Sequence, residues 1–193
     1  NDNLLPPIMG RNYEIGWKGE WNEGRLNTSV ALYRTDKDNN NQRVNARPHP
    51  YWEPLDQSSR GLDAEISGSL TDRWQVYAGY TFNRSTNRNS VGDNVESRRK
   101  GYNFSSHTPK HMFHLYTSYI LPVDDGKWTV GLGVKSSSKT ANSYGSIKQG
   151  GYTVWNTNIQ YRPSKKLQLG LAVNNLTDKR YYENQYSRAA NSG

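Results

Sequence analysis

The chain has 193 residues, of which 33% are hydrophobic and 12% aromatic, with no cysteine and a formal net charge of +8. That apolar content is thin for a soluble core of this size, yet 14 tyrosines and 6 tryptophans are foreign to a disordered chain. Thiolate chemistry and a disulfide framework are excluded, and no stretch approaches the ~20 apolar residues of a membrane helix.

Residues 1–10 read as a polar, proline-containing lead in which no signal-peptide pattern is visible. From Arg11 the chain alternates. Tyr13, Ile15, Trp17, Gly19 and Trp21 take one face, and Glu14, Gly16, Lys18 and Glu20 the other, which is the two-residue period of a strand. Asn22-Glu23-Gly24 is a tight turn. Leu26, Thr28, Val30 and Leu32 form a second strand ending near Asp36. Residues 38–59, with an asparagine run, prolines and Tyr51-Trp52, read as a long loop. A third strand over 60–70 sets Leu62, Ala64, Ile66 and Leu70 against Asp63, Glu65 and Ser67. After the turn Thr71-Asp72-Arg73, a fourth carries Trp74, Val76, Ala78, Tyr80 and Phe82. Residues 84–108 read as a second long polar loop.

A fifth strand offers Phe113, Leu115, Thr117, Tyr119 and Leu121 against Met112, His114, Tyr116 and Ser118, less cleanly divided. A turn at 122–127 leads to a sixth with Trp128, Val130, Leu132 and Val134. After a loop at 136–150, the seventh sets Trp155, Thr157, Ile159 and Tyr161 against Asn156, Asn158 and Gln160. The eighth, 167–173, sets Leu167, Leu169, Leu171 and Val173 against Gln168, Gly170 and Ala172. It leads into the turn formers Asn174-Asn175-Leu176-Thr177-Asp178.

Eight strands, joined alternately by short turns and long loops, point to an all-β antiparallel transmembrane barrel wall, with turns periplasmic and loops extracellular. Only alternate residues of such a wall face lipid, which reconciles low average hydropathy with abundant aromatics. Charges in the strands avoid the apolar face, as lipid demands. Trp21, Trp74, Tyr119, Trp128 and Tyr161 each lie near a short turn in phase with that face. They predict an aromatic girdle at one membrane interface; the competing reading is that aromatics are simply common in strands.

Several segments together resemble the C-terminal part of TonB-dependent outer-membrane receptors, most closely the ferric-siderophore receptors. They are Leu5-Pro6-Pro7 running on through Gly10-Arg11-Asn12-Tyr13 to Gly19, Ala31-Leu32-Tyr33-Arg34-Thr35-Asp36, and Arg60-Gly61-Leu62-Asp63-Ala64-Glu65 with Trp74 and Tyr80-Thr81-Phe82. Thr108-Pro109-Lys110-His111 and Val173-Asn174-Asn175-Leu176-Thr177-Asp178-Lys179-Arg180-Tyr181-Tyr182 complete the series. Thr177 stands where a bulkier residue is common, and the end Ala189-Ala190-Asn191-Ser192-Gly193 lacks the family's terminal aromatic.

The resemblance implies that residues 1–193 are a partial barrel, about eight strands of a 22-stranded wall, with the final strand and the N-terminal plug missing. It implies an outer-membrane receptor, monomeric at full length, that takes up ferric siderophore by TonB-coupled transport. TonB would act through the N-terminal region. No resident cofactor is implied; iron arrives as chelated substrate. The rivals are a stand-alone eight-stranded outer-membrane adhesin or anchor, and a soluble β-barrel binding anionic glycan or nucleic acid.

Much of the positive charge falls in the predicted loops, where it would draw anionic siderophores or lipopolysaccharide phosphates. Arg98, Arg99 and Lys100 beside Tyr102 form the densest candidate, against the plainer reading of a solvated loop or a lipid-phosphate contact. Lys135, Lys139 and Lys148 flank the next loop. Tyr51 and Trp52 could pack as a rigid pair on a chelate's organic shell, with Tyr144, Tyr181 and Tyr182 as weaker versions. His111 and His114 fall on opposite faces and make no metal site by spacing. Asp63 and Glu65 share a face that reads as a lumen surface. No nucleophile motif or phosphate loop is present, so no enzyme is predicted.

Overall fold

The computed structural model describes residues 5–45, 49–92, 96–142 and 147–182. Among these the strands are β1 (Met9–Trp21), β2 (Leu26–Val44), β3 (Tyr51–Thr71), β4 (Trp74–Asn87), β5 (His111–Ile120), β6 (Trp128–Ser137), β7 (Thr140–Ala141), β8 (Lys148–Gln149), β9 (Tyr152–Ser164) and β10 (Leu167–Val173). Eight of them form one sheet in the order β1-β2-β3-β4-β5-β6-β9-β10, with every neighbouring pair antiparallel. The two-residue strands β7 and β8 pair separately. The helical elements among the described residues are two three-residue 3-10 turns.

Turn chemistry fixes the hairpins. Asn22, Glu23 and Gly24 all hold positive φ between β1 and β2, and the Arg25 amide closes on the Asn22 carbonyl at 3.2 Å. Asp124, Asp125 and Gly126 do the same between β5 and β6, where Lys127 Nζ donates to Asp124 at 2.9 Å. Asn, Asp and Gly tolerate this left-handed region best.

These turns set a register that keeps the apolar residues in phase. Residues directly opposite in an antiparallel pair share a face. Ile15 faces Leu32, which faces Leu62, which faces Phe82. Trp17 aligns through Val30 and Ala64 with Tyr80 and Phe113. Tyr119 aligns with Val130, Ile159 and Leu171. Between the turns and Leu32, Leu62 and Phe82, no charged side chain falls on this face. The other face carries the row Lys18, Ser29, Glu65, Gly79, His114 and Lys135.

Most of the apolar face covers nothing within the chain, although Val134 is buried. Ile15 is 73% exposed and Leu171 64%. A soluble sandwich buries that face against a second layer; this sheet leaves it open. Along β1, Tyr13 to Trp21 spans roughly 27 Å at ~3.4 Å per residue. Tilted about 35–45° as barrel strands are, that covers about 19–22 Å of the ~25 Å apolar band of an outer-membrane wall.

The eight strands do not close on themselves: among the described residues β1 and β10 each pair on one side only. The stand-alone small barrel is therefore not the observed architecture. The expected loop at 38–59 is another correction. β2 runs to Val44 and β3 starts at Tyr51, so most of it is a strand extension of 19- and 21-residue strands. Most residues of this extension are polar on both faces, so the ladder continues with no regular alternation to reveal it. Similarly β4 reaches Asn87, and β6 reaches Ser137 before β7.

A small buried cluster of Val44, Leu55 and Val91 pins the segment after β4 onto the β2–β3 extension. Polar bonds surround it. The Arg88 amide donates to the Asp56 carbonyl at 2.7 Å, the Asp56 amide to Asn89 Oδ1 at 2.8 Å, and the Gly92 amide to Glu53 Oε2 at 2.9 Å. Leu55, 3% exposed, is the larger aliphatic of the three. Leu55→Ala is expected to cost this local unit about 2 kcal/mol without disturbing the sheet. Limited trypsin digestion should then cut faster at Arg88, Arg98 and Arg99, while the total strand content by circular dichroism stays the same.

Candidate functional site

The sheet offers two working faces and one decorated end. At the turn end, the five aromatics singled out in the sequence all lie on the apolar face. Trp74 and Tyr119 meet edge-on at 6.4 Å, Trp128 and Tyr161 stack at 4.3 Å, and Trp21 lies 6.1 Å from Trp17. Two of the indole N–H groups bond along the wall: Trp74 Nε1 donates to Thr117 Oγ1 at 2.7 Å and Trp21 Nε1 to Thr28 Oγ1 at 2.8 Å.

A second aromatic rim at the loop end was not anticipated. Tyr13, Phe82, Phe113 and Trp155 occupy the last apolar-phase positions there, with Tyr80 one step inside Phe82. Tyr80 Oη lies 2.8 Å from His111 Nδ1, and Phe82 packs 5.0 Å from the same ring. The signal was in the sequence, since Tyr13, Phe82, Phe113 and Trp155 each close an alternating run away from its short turn.

Immediately beyond this rim, in the same phase, Arg34, Arg60 and Arg84 stand side by side on β2, β3 and β4. Each follows or precedes the terminal apolar residue by two positions: Leu32, Leu62 and Phe82. Arg34 Nε donates to both oxygens of Asp36 at 3.1 Å, and Arg88 bonds Asp38 at 2.8 Å. Arg34, Arg60, Arg88 and Lys100, with Ser58 and Thr86, line a cavity of 380 Å³.

The inner face is polar and close-cropped. A Cβ on Gly61 would collide with the Tyr33 ring and the Phe82 carbonyl, and one on Gly79 with the His114 ring. Rings thus lie flat across neighbouring strand glycines, and His114 also contacts Tyr77 at 5.2 Å. Glu65 and Lys135 stand on either side of Gly79 and His114 along this row. The expectation that Asp63 and Glu65 share one polar face agrees with the register.

The ligand candidates are dispersed. Tyr51 and Trp52 are consecutive strand residues and point to opposite faces, so they form no joint platform. Arg98 ends a 3-10 turn, Arg99 follows it exposed, and Lys100 turns to the outward cavity with the wall arginines. The Tyr102 carbonyl accepts from the Asn87 amide at 3.0 Å. Tyr144 lies outside the described residues. Tyr181 stacks on Tyr152 at 4.4 Å, and Tyr182 is 75% exposed. Lys135 does not flank a loop: it sits in β6 opposite His114, on the inner face. His111 and His114 do take opposite faces, and no group of three or more possible metal ligands gathers among the described residues.

Residues 1–176 match the family model described as TonB dependent receptor-like, beta-barrel. The ferric-pyoverdine M114 receptor PbuA of Pseudomonas sp. (strain M114) is 34% identical over 189 residues, covering 92% of this chain and 22% of that protein. The crystal structure of the ferripyoverdine receptor of the outer membrane of Pseudomonas aeruginosa, bound to ferripyoverdine, superposes with a TM-score of 0.75 at 33% identity. That match covers 94% of this chain and 25% of the other. The ferric-catecholate import receptor Fiu of Escherichia coli K12 gives 0.75 at 27% identity, covering 92% and 24%. The chain therefore spans about a quarter of the length of these relatives.

Asp36, 6% exposed above the apolar band, is the most enclosed carboxylate of the arginine cluster. Burial pushes its pKa up. Hydrogen bonds from Ser58 and Arg34 and the charges of Arg34 and Arg88 outweigh that and hold it below the ordinary value of 3.8. A lowered folded pKa contributes stability that is present above the ordinary value and lost as pH falls through the folded one. Amide protection in the β2–β3 extension, corrected for intrinsic exchange, should thus fall several-fold as pH drops below about 4. Asp36→Asn should flatten that dependence.

Proposed function

Because the chain belongs to the TonB-dependent receptor β-barrel family, we propose that it is a section of barrel wall in an outer-membrane receptor that imports ferric siderophore. The observation that carries this reading is the two-faced register: an uncharged face rimmed with aromatics at both ends, backed by a charged, close-cropped one. The first face meets lipid, and Trp21, Trp74, Tyr119, Trp128 and Tyr161 form the periplasmic girdle. The second lines the lumen, where Lys18, Asp63, Glu65 and His114 offer polar contacts to a plug. Iron enters as chelated cargo, with no chemistry done on it by this chain. TonB coupling belongs to parts of the receptor other than this wall.

The loop end faces outward from the cell and captures ligand. Arg98 and Arg99, carried over the β2–β3 extension by the Val44–Leu55–Val91 cluster, supply positive potential for an anionic chelate. The ferric-pyoverdine receptors are nearer in sequence than the catecholate receptor Fiu, so ferric pyoverdine is the first ligand to test. Deleting the gene for the whole receptor should abolish uptake of one ⁵⁵Fe-loaded siderophore under iron limitation. Arg98→Ala with Arg99→Ala should weaken its capture and lessen the salt dependence of binding. Uptake unchanged for pyoverdine-type and catecholate chelates alike would refute the transport reading.

The lipid-facing assignment has its own test. Ile66 sits mid-height on the apolar face and Ser67 on the other. Ile66→Arg is expected to cost about 2–4 kcal/mol in the bilayer and to lower the folded, heat-modifiable fraction in outer-membrane extracts. Ser67→Arg should leave that fraction near the parent level.

A further inference from the structure

The inner face of the sheet divides into two unlike halves. On β1 and β3 it carries Glu14, Lys18, Glu20, Asp63 and Glu65. None of these five makes an ion pair among the described residues. From β4 to β10 the character changes. Turnward of the paired His114 and Lys135, one row runs Gln75–Ser118–Gly131–Asn158–Ala172 and the next Ile120–Thr129–Gln160–Gly170. Neither row holds a carboxylate, lysine, arginine or histidine.

The polar groups of this second half are engaged with one another. Asn158 Nδ2 donates to Tyr116 Oη at 3.3 Å and Gln168 Nε2 to Gln160 Oε1 at 3.1 Å. Asn156 Oδ1 accepts from the Asn175 amide at 2.9 Å, and Arg162, at the turn, donates to Gln168 Oε1 at 2.6 Å. An amide already bonded within its own wall needs no partner from a facing surface. Five lumen-side charges without counter-charges do need one, and opposite charge on a facing surface supplies it. The two halves therefore grip a body inside the barrel unequally.

The second half is also low. Asn158 and the Tyr116 hydroxyl lie over Gly131, where a Cβ would collide with both, while a Cβ on Gly170 would meet nothing within 4 Å. A recess of 320 Å³ opens over Gly133 and Ala172, with Tyr116, Asn156 and Asn158 around it and Lys135 at its loop-end edge.

Taking the wall to enclose the lumen of a siderophore importer, as proposed above, we propose that the plug is seated against the charged β1–β3 side and that the ferric chelate descends along the uncharged strip of β5, β6, β9 and β10. A chelate rich in carbonyl and hydroxyl oxygens can exchange weak hydrogen bonds with neutral amides along this strip. It meets no fixed charge that would hold it, and passage requires sites that release as readily as they bind. Lys135, at the entry edge of the recess, attracts a negatively charged chelate towards it.

The test uses the whole receptor in outer membranes of living cells, with a ⁵⁵Fe-loaded siderophore that the parent imports. Capture is measured in de-energised cells and uptake in energised ones. Gly170→Trp projects a ring into the strip from β10, and Gln160→Trp does so from the neighbouring β9. Each should leave capture at the parent level, which certifies folding, and lower uptake about tenfold or more by narrowing the passage. Gly170→Ser should import like the parent. Ser29→Trp, placed between Lys18 and Glu65, should instead unseat the plug and admit a large glycopeptide antibiotic, to which the strip variants stay resistant. Unimpaired uptake by both strip variants would overturn the path, as would antibiotic entry through them equal to that through Ser29→Trp. If one strip variant does not reach the membrane, the other decides. A parent that imports no siderophore of either class would refute the transport reading and the path with it; an importing parent with fully active strip variants would reject the path alone.

Discussion

Everything in this sheet depends on one constraint: the register between neighbouring strands must hold for the whole width of the wall. Side chains alternate with a period of two, so a slip of one residue in a single pair would send an entire strand's apolar set to the wrong side. The tight turns enforce it. Asn22-Glu23-Gly24 and Asp124-Asp125-Gly126 adopt left-handed conformations that leave no slack between strands. The result is that Ile15, Leu32, Leu62 and Phe82 stand in one line across four strands. A face with no charge and a face with Lys18, Glu65, His114 and Lys135 then arise from the same backbone.

The same register explains why stability and function separate along the strand axis. Within the apolar band the backbone ladder is satisfied and the outward side chains stand open, so few of them are buried in the protein itself. Beyond the band, water returns on both sides and the strands must be held by other means. There the structure builds a miniature core from Val44, Leu55 and Val91 and surrounds it with side-chain-to-backbone bonds from Glu53, Asn87 and Asn89. The loop-end basic residues inherit their positions from this frame. Arg98 and Arg99 ride on the folded segment after β4, while Arg34, Arg60 and Arg84 belong to the wall. Positive charge that looked like one loop property thus divides into two populations, one on the folded segment and one on the wall.

The inner face shows how a barrel wall leaves room inside itself. Glycines at 61 and 79 are each overlaid by a ring from the adjacent strand, Tyr33 or His114. Lying flat, the rings restore the packing that the missing side chains would have supplied and keep the surface low. A methyl group at either position would lift the ring or spread the strands.

The alternation in the sequence determined the eight strands of the sheet, the two faces they present and the aromatic row at the turn end. Those depend on local period and turn chemistry, which travel with the chain: Leu167 to Val173 reads as a half-apolar strand wherever it is placed. The tertiary structure alone decided three other matters. It carried β2 and β3 through 38–59, because a mostly polar ladder has no regular alternation to read. It split Tyr51 from Trp52 by making both part of a strand. And it set Arg34, Arg60 and Arg84 in one row, because residues up to 50 positions apart become neighbours only when the register between strands is fixed. Each arginine was legible as the polar end of an alternating run; their meeting was a property of the sheet.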